Sequence, residues 1–279
     1  MEDHADEVWK DSDGTGRFDQ FRYYGKDKAI SLLERDTNND GIKDISAFYN
    51  DDGKKEKVES DMDLDGRFDT WEIYGDEGLV RIEKDEDENG KVDLVGYYTG
   101  GELEKNIKDM NGDGRFEITQ WFNQPEWTMV TELDNNFDGN PETRNYVKGS
   151  IIRIKEMDNN SDGVVDRREF NDENGKITRI EIDENSVGKM NVVWHYDADE
   201  KPFLAEYDGN LDGKIDTWYH YKENLVTSVE EDTNFDGKPD LWEIYDESER
   251  LIQTKKDLDF DGIPDTVTEE SEVKSQETE

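Results

Sequence analysis

Asp61, Asp63, Asp65 and Asp69 stand at positions 1, 3, 5 and 9 of a nine-residue segment whose sixth residue is Gly66. Carboxylates alternating on a sharply turned backbone point at one centre, and the chemistry open to them is coordination of a hard cation. Ca²⁺ takes roughly six to eight oxygens at about 2.3–2.6 Å, so these carboxylates, the position-7 carbonyl of Arg67 and water would fill its shell. The pattern returns every 24 or 25 residues. Full copies supply Asp36, Asn38, Asp40 and Asp44; Asp85, Asp87, Asn89 and Asp93; Asp109, Asn111, Asp113 and Glu117; and Asp134, Asn136, Asp138 and Glu142. Further along come Asp158, Asn160, Asp162 and Asp166; Asp208, Asn210, Asp212 and Asp216; Asp232, Asn234, Asp236 and Asp240; and Asp257, Asp259, Asp261 and Asp265.

Two copies have lost ligands. In the first, Asp11, Asp13 and Asp19 remain but Thr15 replaces the fifth-position acid, which predicts an intermediate site. In the eighth, beginning at Asp183, Val187 and Asn191 replace the acids at positions 5 and 9, which predicts an empty or very weak one. Position 6 is glycine in all eleven copies, as expected where the chain must adopt positive φ. An ordinary Asx or glycine turn needs only one or two of these residues, so the full pattern exceeds what a turn requires.

The elements that position these loops read as strands. Segments such as Phe68 to Tyr74 and Lys214 to Tyr221 are rich in aromatic and β-branched residues, and they end near an aromatic at position 14, as in Tyr74, Tyr98 and Tyr221. Turn-forming stretches such as Asn50-Asp-Asp-Gly53 follow, then a second strand leads into the next loop. An EF-hand would need helices and a Glu at position 12, which only Glu72, Glu169 and Glu243 supply. The loops resemble EF-hand-like bacterial calcium loops and those of thrombospondin type 3 repeats, without the disulfides typical of the latter, since the chain has no cysteine. The stretch from Tyr74 to Leu79 is weakly similar to YD/RHS repeats, which implies hairpins coiling into a spiral sheet; strict Tyr-Asp pairs occur only at Tyr196, Tyr207 and Tyr245.

The fold expected is therefore all-β: tandem hairpins of 24–25 residues forming a superhelical or solenoid-like antiparallel sheet with calcium loops on one edge. A β-propeller is the alternative. A single array over residues 1–268 and a disordered acidic tail over 269–279 complete the organisation. Apolar residues at positions 8, 11 and 13 are the expected core: Phe18, Phe68, Phe116, Val165, Ile215, Trp71, Trp218, Trp242, Ile73 and Ile244.

Composition sets the energetic problem. The formal charge is −41 with only 31% hydrophobic residues, a pairing typical of disordered chains, but the chain also holds 12 Tyr, 11 Phe and 7 Trp. Nine loaded loops would bring the charge to about −23, so folding is expected to depend on calcium, with about eight to ten ions bound. No apolar run long enough to span a membrane is present, and a chain this acidic is a poor partner for nucleic acid. His4, His195 and His220 show no metal-ligand spacing, and no nucleophile elbow, P-loop or dinucleotide fingerprint occurs, so an enzyme is not expected.

These features point to a calcium-stabilised, non-enzymatic scaffold for adhesion or protein binding. Its expected setting is extracellular or at the cell surface, a lipoprotein shorn of its signal being one form, with an extracellular protein or glycan as partner. A calcium store or sensor is one alternative. A carbohydrate-binding module using Trp121, Trp127 and Trp194 is another.

Overall fold

The computed structural model describes residues 7–25 and 28–269, and every regular element among them is a strand. The expectations for the first six residues and for the acidic tail beyond Glu269 fall outside the described residues. The chain divides into two compact units that meet between Phe137 and Asp138.

The first unit carries β1 (Glu7–Lys10), β2 (Gln20–Tyr24), β3 (Ile30–Arg35), β4 (Ile45–Tyr49), β5 (Lys55–Ser60), β6 (Thr70–Gly75), β7 (Gly78–Lys84), β8 (Leu94–Thr99), β9 (Glu102–Lys108), β10 (Ile118–Phe122) and β11 (Met129–Leu133). The second carries β12 (Thr143–Lys148), β13 (Ile151–Met157), β14 (Arg167–Asn171), β15 (Ile177–Ile182), β16 (Val192–Tyr196), β17 (Pro202–Tyr207), β18 (Thr217–Lys222), β19 (Leu225–Glu231), β20 (Leu241–Tyr245), β21 (Leu251–Lys256) and β22 (Thr266–Glu269). Within each unit every strand pairs antiparallel with the strands before and after it in sequence. The result is an open meander of tandem hairpins. Within each unit pairing runs on from one hairpin to the next, so the separated four-stranded blades of a propeller are not formed there.

Register decides which residues are buried. In the first unit Ala47, Val58, Glu72, Ile82 and Gly96 lie side by side across five strands, and in the second Ile180, Trp194, Ala205, Tyr219 and Val229 do the same. These rows hold several of the driest apolar side chains, with Ala205 at 0% exposure and Ile180 and Val229 at 4%. On the post-loop strand the row is position 12, not the expected 8, 11 and 13. None of the ten residues expected in the core is among the buried ones, and Phe18 is 54% exposed.

The reason is pleat and pairing. Position 11 faces the opposite side, where Glu206, Trp218, Glu230 and Trp242 alternate across strands and Glu59 and Glu83 flank Trp71. That face is a ladder of charges. Arg168 sits between Glu156 at 2.9 Å and Glu181 at 3.1 Å, while Lys57 and Arg81 pair with Glu59 and Glu83 at 2.6 and 3.0 Å. Its tryptophans are therefore half-buried among polar neighbours.

A bulge falls just before the position-14 aromatic in many hairpins, as between Ile73 and Tyr74, His220 and Tyr221, and Ile244 and Tyr245. The extra residue belongs to the partner strand (Val80, Thr227 and Ile252), and the tyrosine, two residues beyond position 12, keeps the face of that position, where the Tyr74 hydroxyl donates to Glu72 and the Tyr245 hydroxyl donates to Glu243 at 2.6 Å. Half-buried glutamates thus find donors at the hairpin ends, and the loops occupy the other ends of the same strands.

Candidate metal-binding loops

One web of hydrogen bonds shapes the loops. In the loop from Asp61 to Asp69, the Asp61 carboxylate accepts the N–H groups of Leu64 at 2.7 Å, Asp65 at 3.2 Å and Gly66 at 2.7 Å. Asp63 accepts the Asp65 N–H at 3.2 Å, Asp65 accepts the Arg67 N–H at 2.8 Å, and Asp69 accepts the Met62 N–H at 2.7 Å. The loop from Asp232 to Asp240 repeats this, with Gly237 donating to Asp232 at 2.6 Å and Thr233 donating to Asp240 at 3.0 Å. A carboxylate that accepts two or three backbone donors is held in one orientation with part of each oxygen still open.

In most loops the first and ninth side chains are buried by this wrapping. Asp36 is 5% exposed and Asp44 1%, Asp109 is 3% and Glu117 5%. Burying several carboxylates together is costly unless a cation joins them. Backbone donors offset part of that cost. For Asp109, burial alone would raise the carboxyl, but the N–H groups of Gly114, Gly112, Asn111 and Asp113 outweigh it and hold the group below its ordinary value.

The oxygens also converge. Within 4.8 Å of one another lie carboxylate oxygens of Asp36, Asp40 and Asp44, of Asp61, Asp63 and Asp69, of Asp85, Asp87 and Asp93, and of Asp109, Asp113 and Glu117. The structure thus brings together the residues that spacing had grouped. An all-oxygen donor set of this kind fits a hard divalent ion and offers nothing to a soft one. Where Asn stands at position 3 the loop keeps its form: Gly163 donates to Asp158 at 2.8 Å, Asn159 to Asp166 at 2.8 Å, and Gly213 to Asp208 at 2.8 Å. In the last loop Gly262 donates to Asp257 at 2.7 Å and Leu258 to Asp265 at 2.8 Å. Repulsion from Asp261 and Asp265 raises the Asp259 carboxyl, as expected where acids crowd one centre.

The worn copies separate fold from chemistry. In the first, Gly16 donates to Asp11 at 2.8 Å and Ser12 to Asp19 at 2.7 Å, although Thr15 offers no carboxylate. In the eighth, Gly188 donates to Asp183 at 2.6 Å and Glu184 to the Asn191 side-chain oxygen at 2.8 Å, so the amide does the structural work of the missing acid. The sixth loop, Asp134 to Glu142, spans the junction of the two units. On either side Phe137 donates to Asp134 and Asn140 to Asp138, each at 2.7 Å.

Sequence reading missed two features. The fourth residue of every loop lies in the left-handed region, including Leu64 at φ 66°, Leu211 at 63°, Phe235 at 61° and Phe260 at 61°. Only Gly14 and Gly112, the two glycines at that position, hint at it. Second, Glu88, the fourth residue of its loop, reaches back to the preceding one, and its carboxylate joins Asp63 and Asp65 within 4.8 Å. A shared hydrogen bond with Asp63, and the charge behind it, push the Glu88 carboxyl up. Of the tryptophans named for glycan stacking, Trp194 lies in the buried row with its ring 5.4 Å from that of Tyr221, and Trp121 is 38% exposed with its N–H on Glu132 at 3.1 Å.

No family model and no curated protein matches this chain. Loose similarity extends to the crystal structure of TcdB2-TccC3-Cdc42, at 13% identity over 87% of this chain and 16% of that one, with a TM-score of 0.24. A Photorhabdus luminescens Tc holotoxin pore with a TccC3 mutation shares 11% identity over 90% of this chain and 15% of that one, TM-score 0.22. The crystal structure of TcdB2-TccC3-TEV shares 13% over 87% and 14%, TM-score 0.17. This chain spans only about a sixth of the length of the first, and superpositions this loose carry no argument about function.

Proposed function

We propose that this chain is a calcium-built scaffold: a non-enzymatic hairpin array, rigid when its loops are loaded, that presents its sheet for adhesion or protein binding outside the cell. The observation that carries the reading is the convergence of carboxylates at the same loop positions in copy after copy, buried at positions 1 and 9 and exposed at position 5, as at Asp36, Asp40 and Asp44 and again at Asp109, Asp113 and Glu117. Buried like charges this close favour a cation, and the −41 formal charge gives the whole array the same bias. The ligands would be the acids and amides at positions 1, 3, 5 and 9 of the nine full loops, in the manner of EF-hand-like and thrombospondin type 3-like loops, with position-7 carbonyls and water beside them. Loading would supply the neutralisation that the small apolar rows cannot.

The test is to strip the protein with EDTA, then titrate Ca²⁺ while following bound-metal stoichiometry and hydrodynamic radius together. Saturation at about eight to ten ions with compaction is expected. Retention of the fold in EDTA, with no more than one or two ions bound on titration, would sink the reading.

A further inference from the structure

Adjacent loops are tied to one another by two recurring links. At ten successive junctions, from Asp36 to Asp257, the N–H of a loop's first residue donates to the backbone carbonyl of the preceding loop's ninth residue, at 2.7–3.1 Å. The second link is a side chain. Arg17, Lys91 and Lys189 are all seventh residues, and each donates across to the carbonyl of the next loop's fourth residue: Asn39 at 2.8 Å, Gly112 at 2.9 Å and Leu211 at 3.2 Å. Arg115, also seventh, places its guanidinium 5.1 Å from the ring of Phe137, the fourth residue of its neighbour. Where the seventh residue is shorter or uncharged it lies over the next loop's sixth glycine instead: a methyl on Gly66 would sit 3.2 Å from Ile42, and one on Gly188 would sit 3.8 Å from Val164.

All three carbonyls that accept a cation belong to residues held at positive φ: Asn39 at 61°, Gly112 at 72° and Leu211 at 63°. A donor at that carbonyl favours the backbone turn that gathers the next loop's ligands. At the root of the same side chain is the seventh residue's own carbonyl, which the coordination scheme assigns to the metal. The seventh residue therefore touches both loops, one through its backbone and the next through its tip.

We propose that the strapping cations Arg17, Lys91 and Lys189, Lys91 above all, are positioning residues that pass the loading of one loop to the next, so that calcium binding is cooperative between those neighbouring loops. The inference rests on the calcium reading. Loading the loop at Asp85 fixes the Lys91 backbone, and a fixed root holds the ammonium on the Gly112 carbonyl with less loss of freedom, which favours the bound form of the loop at Asp109. The eighth loop, although it lacks two acids, keeps its strap through Lys189 and so remains a fixed clasp between its neighbours.

The experiment is a double-mutant cycle read by amide resonances of the full chain during Ca²⁺ titration. The Gly90 and Gly114 N–H groups donate to Asp85 at 2.8 Å and Asp109 at 2.6 Å, so each reports its own loop. Asp93→Asn weakens the loop at Asp85 while keeping the acceptor that Asn191 provides naturally in the eighth loop. With Lys91 intact, Asp93→Asn should move the Gly114 midpoint to roughly five times more calcium; in the Lys91→Met background the same substitution should move it less than about twofold. Any direct effect of removing the lysine charge cancels in the cycle. Equal shifts in both backgrounds would overturn the proposal while leaving the calcium reading in place. Gly90 and Gly114 resonances that ignore Ca²⁺ in the unmodified protein would overturn both. Arg17→Met with Asp19→Asn, read at Gly41, repeats the test at a second junction.

Discussion

Asp109 shows how a single residue here serves two masters. Its carboxylate is the hub of a backbone cage and also one of three converging acids. Because the cage holds its pKa below the ordinary carboxylate value, the stability it contributes is fully present above that range and is lost as pH falls through the folded-state value. The Asp257 carboxyl behaves alike, burial raising it and the Gly262 and Phe260 N–H groups lowering it further. The metal-free protein should therefore lose stability on acidification below about pH 4, seen as a falling urea midpoint. Relief of net negative charge acts the other way, and a midpoint that rises between pH 5 and pH 3 would show repulsion to dominate the cages.

The strained fourth residue gives a second prediction at this scale. Phe235 is 50% exposed and sits at φ 61°, where a bulky side chain costs about 1–2 kcal/mol and Asn costs less. Phe235→Asn should stabilise the protein by ~0.5–1 kcal/mol in chemical denaturation. A loss of stability would mean that the ring packs usefully despite its exposure. Spacing alone made positions 1, 3, 5, 6 and 9 legible because those positions constrain residue type. Position 4 tolerates Asn39, Leu64, Glu88, Ser161 and Phe235, so its conformation left no mark on composition.

At the scale of the element, the hairpin joins a polar loop to a polar core row. Tyr74 and Tyr245 occupy the bulged end of their hairpins with hydroxyls on Glu72 and Glu243. Burial first, and then the glutamate acceptor, push both hydroxyls up from 10.0 to about 12. A group whose folded-state pKa is raised contributes stability that is complete below its unfolded value and lost above it. The array should accordingly be undiminished by these groups up to pH 10 and weaken between pH 10 and 12. Tyr74→Phe and Tyr245→Phe together should flatten that loss in a circular-dichroism pH titration, and an unchanged alkaline transition would assign it to other groups. The buried row was the least legible part of the fold. Position 12 holds Ala47, Glu72, Gly96, Trp194, Tyr219 and Glu243, which share no hydrophobic signature. Their burial comes from cross-strand partners such as Val58, Ile180 and Val229, and a single strand does not display its register. Trp71, Trp218 and Trp242, conspicuous in sequence, face glutamates instead.

For the whole molecule, charge is the controlling quantity. A chain at −41 with rows of small apolar residues for a core has little to set against self-repulsion except cations. Salt should stabilise the metal-free protein moderately through screening, whereas Ca²⁺ should compact it at far lower concentration. Mg²⁺ should be a poor substitute, since its octahedral shell dehydrates reluctantly and accepts fewer ligands than these loops offer. Hydrodynamic radius measured against both ions separates the two: equal responses to Ca²⁺ and Mg²⁺ would reduce the loops to charge-screened turns.

The sequence by itself determined the repeat length, the alternation of strand and loop, the glycine at each sixth position and the identity of the acids that meet. All of these are local, because a loop closes on residues within nine positions of one another and a strand declares itself by its own side chains. Only the tertiary structure decided which face of each strand is dry, which residue bears the left-handed turn, that Glu88 joins the acids of the preceding loop, and that Lys91 holds the loop that follows. The Glu88 and Lys91 links join residues 20 or more positions apart, and the dry face follows from pairing register, a property of two strands at once that is written in neither of them alone.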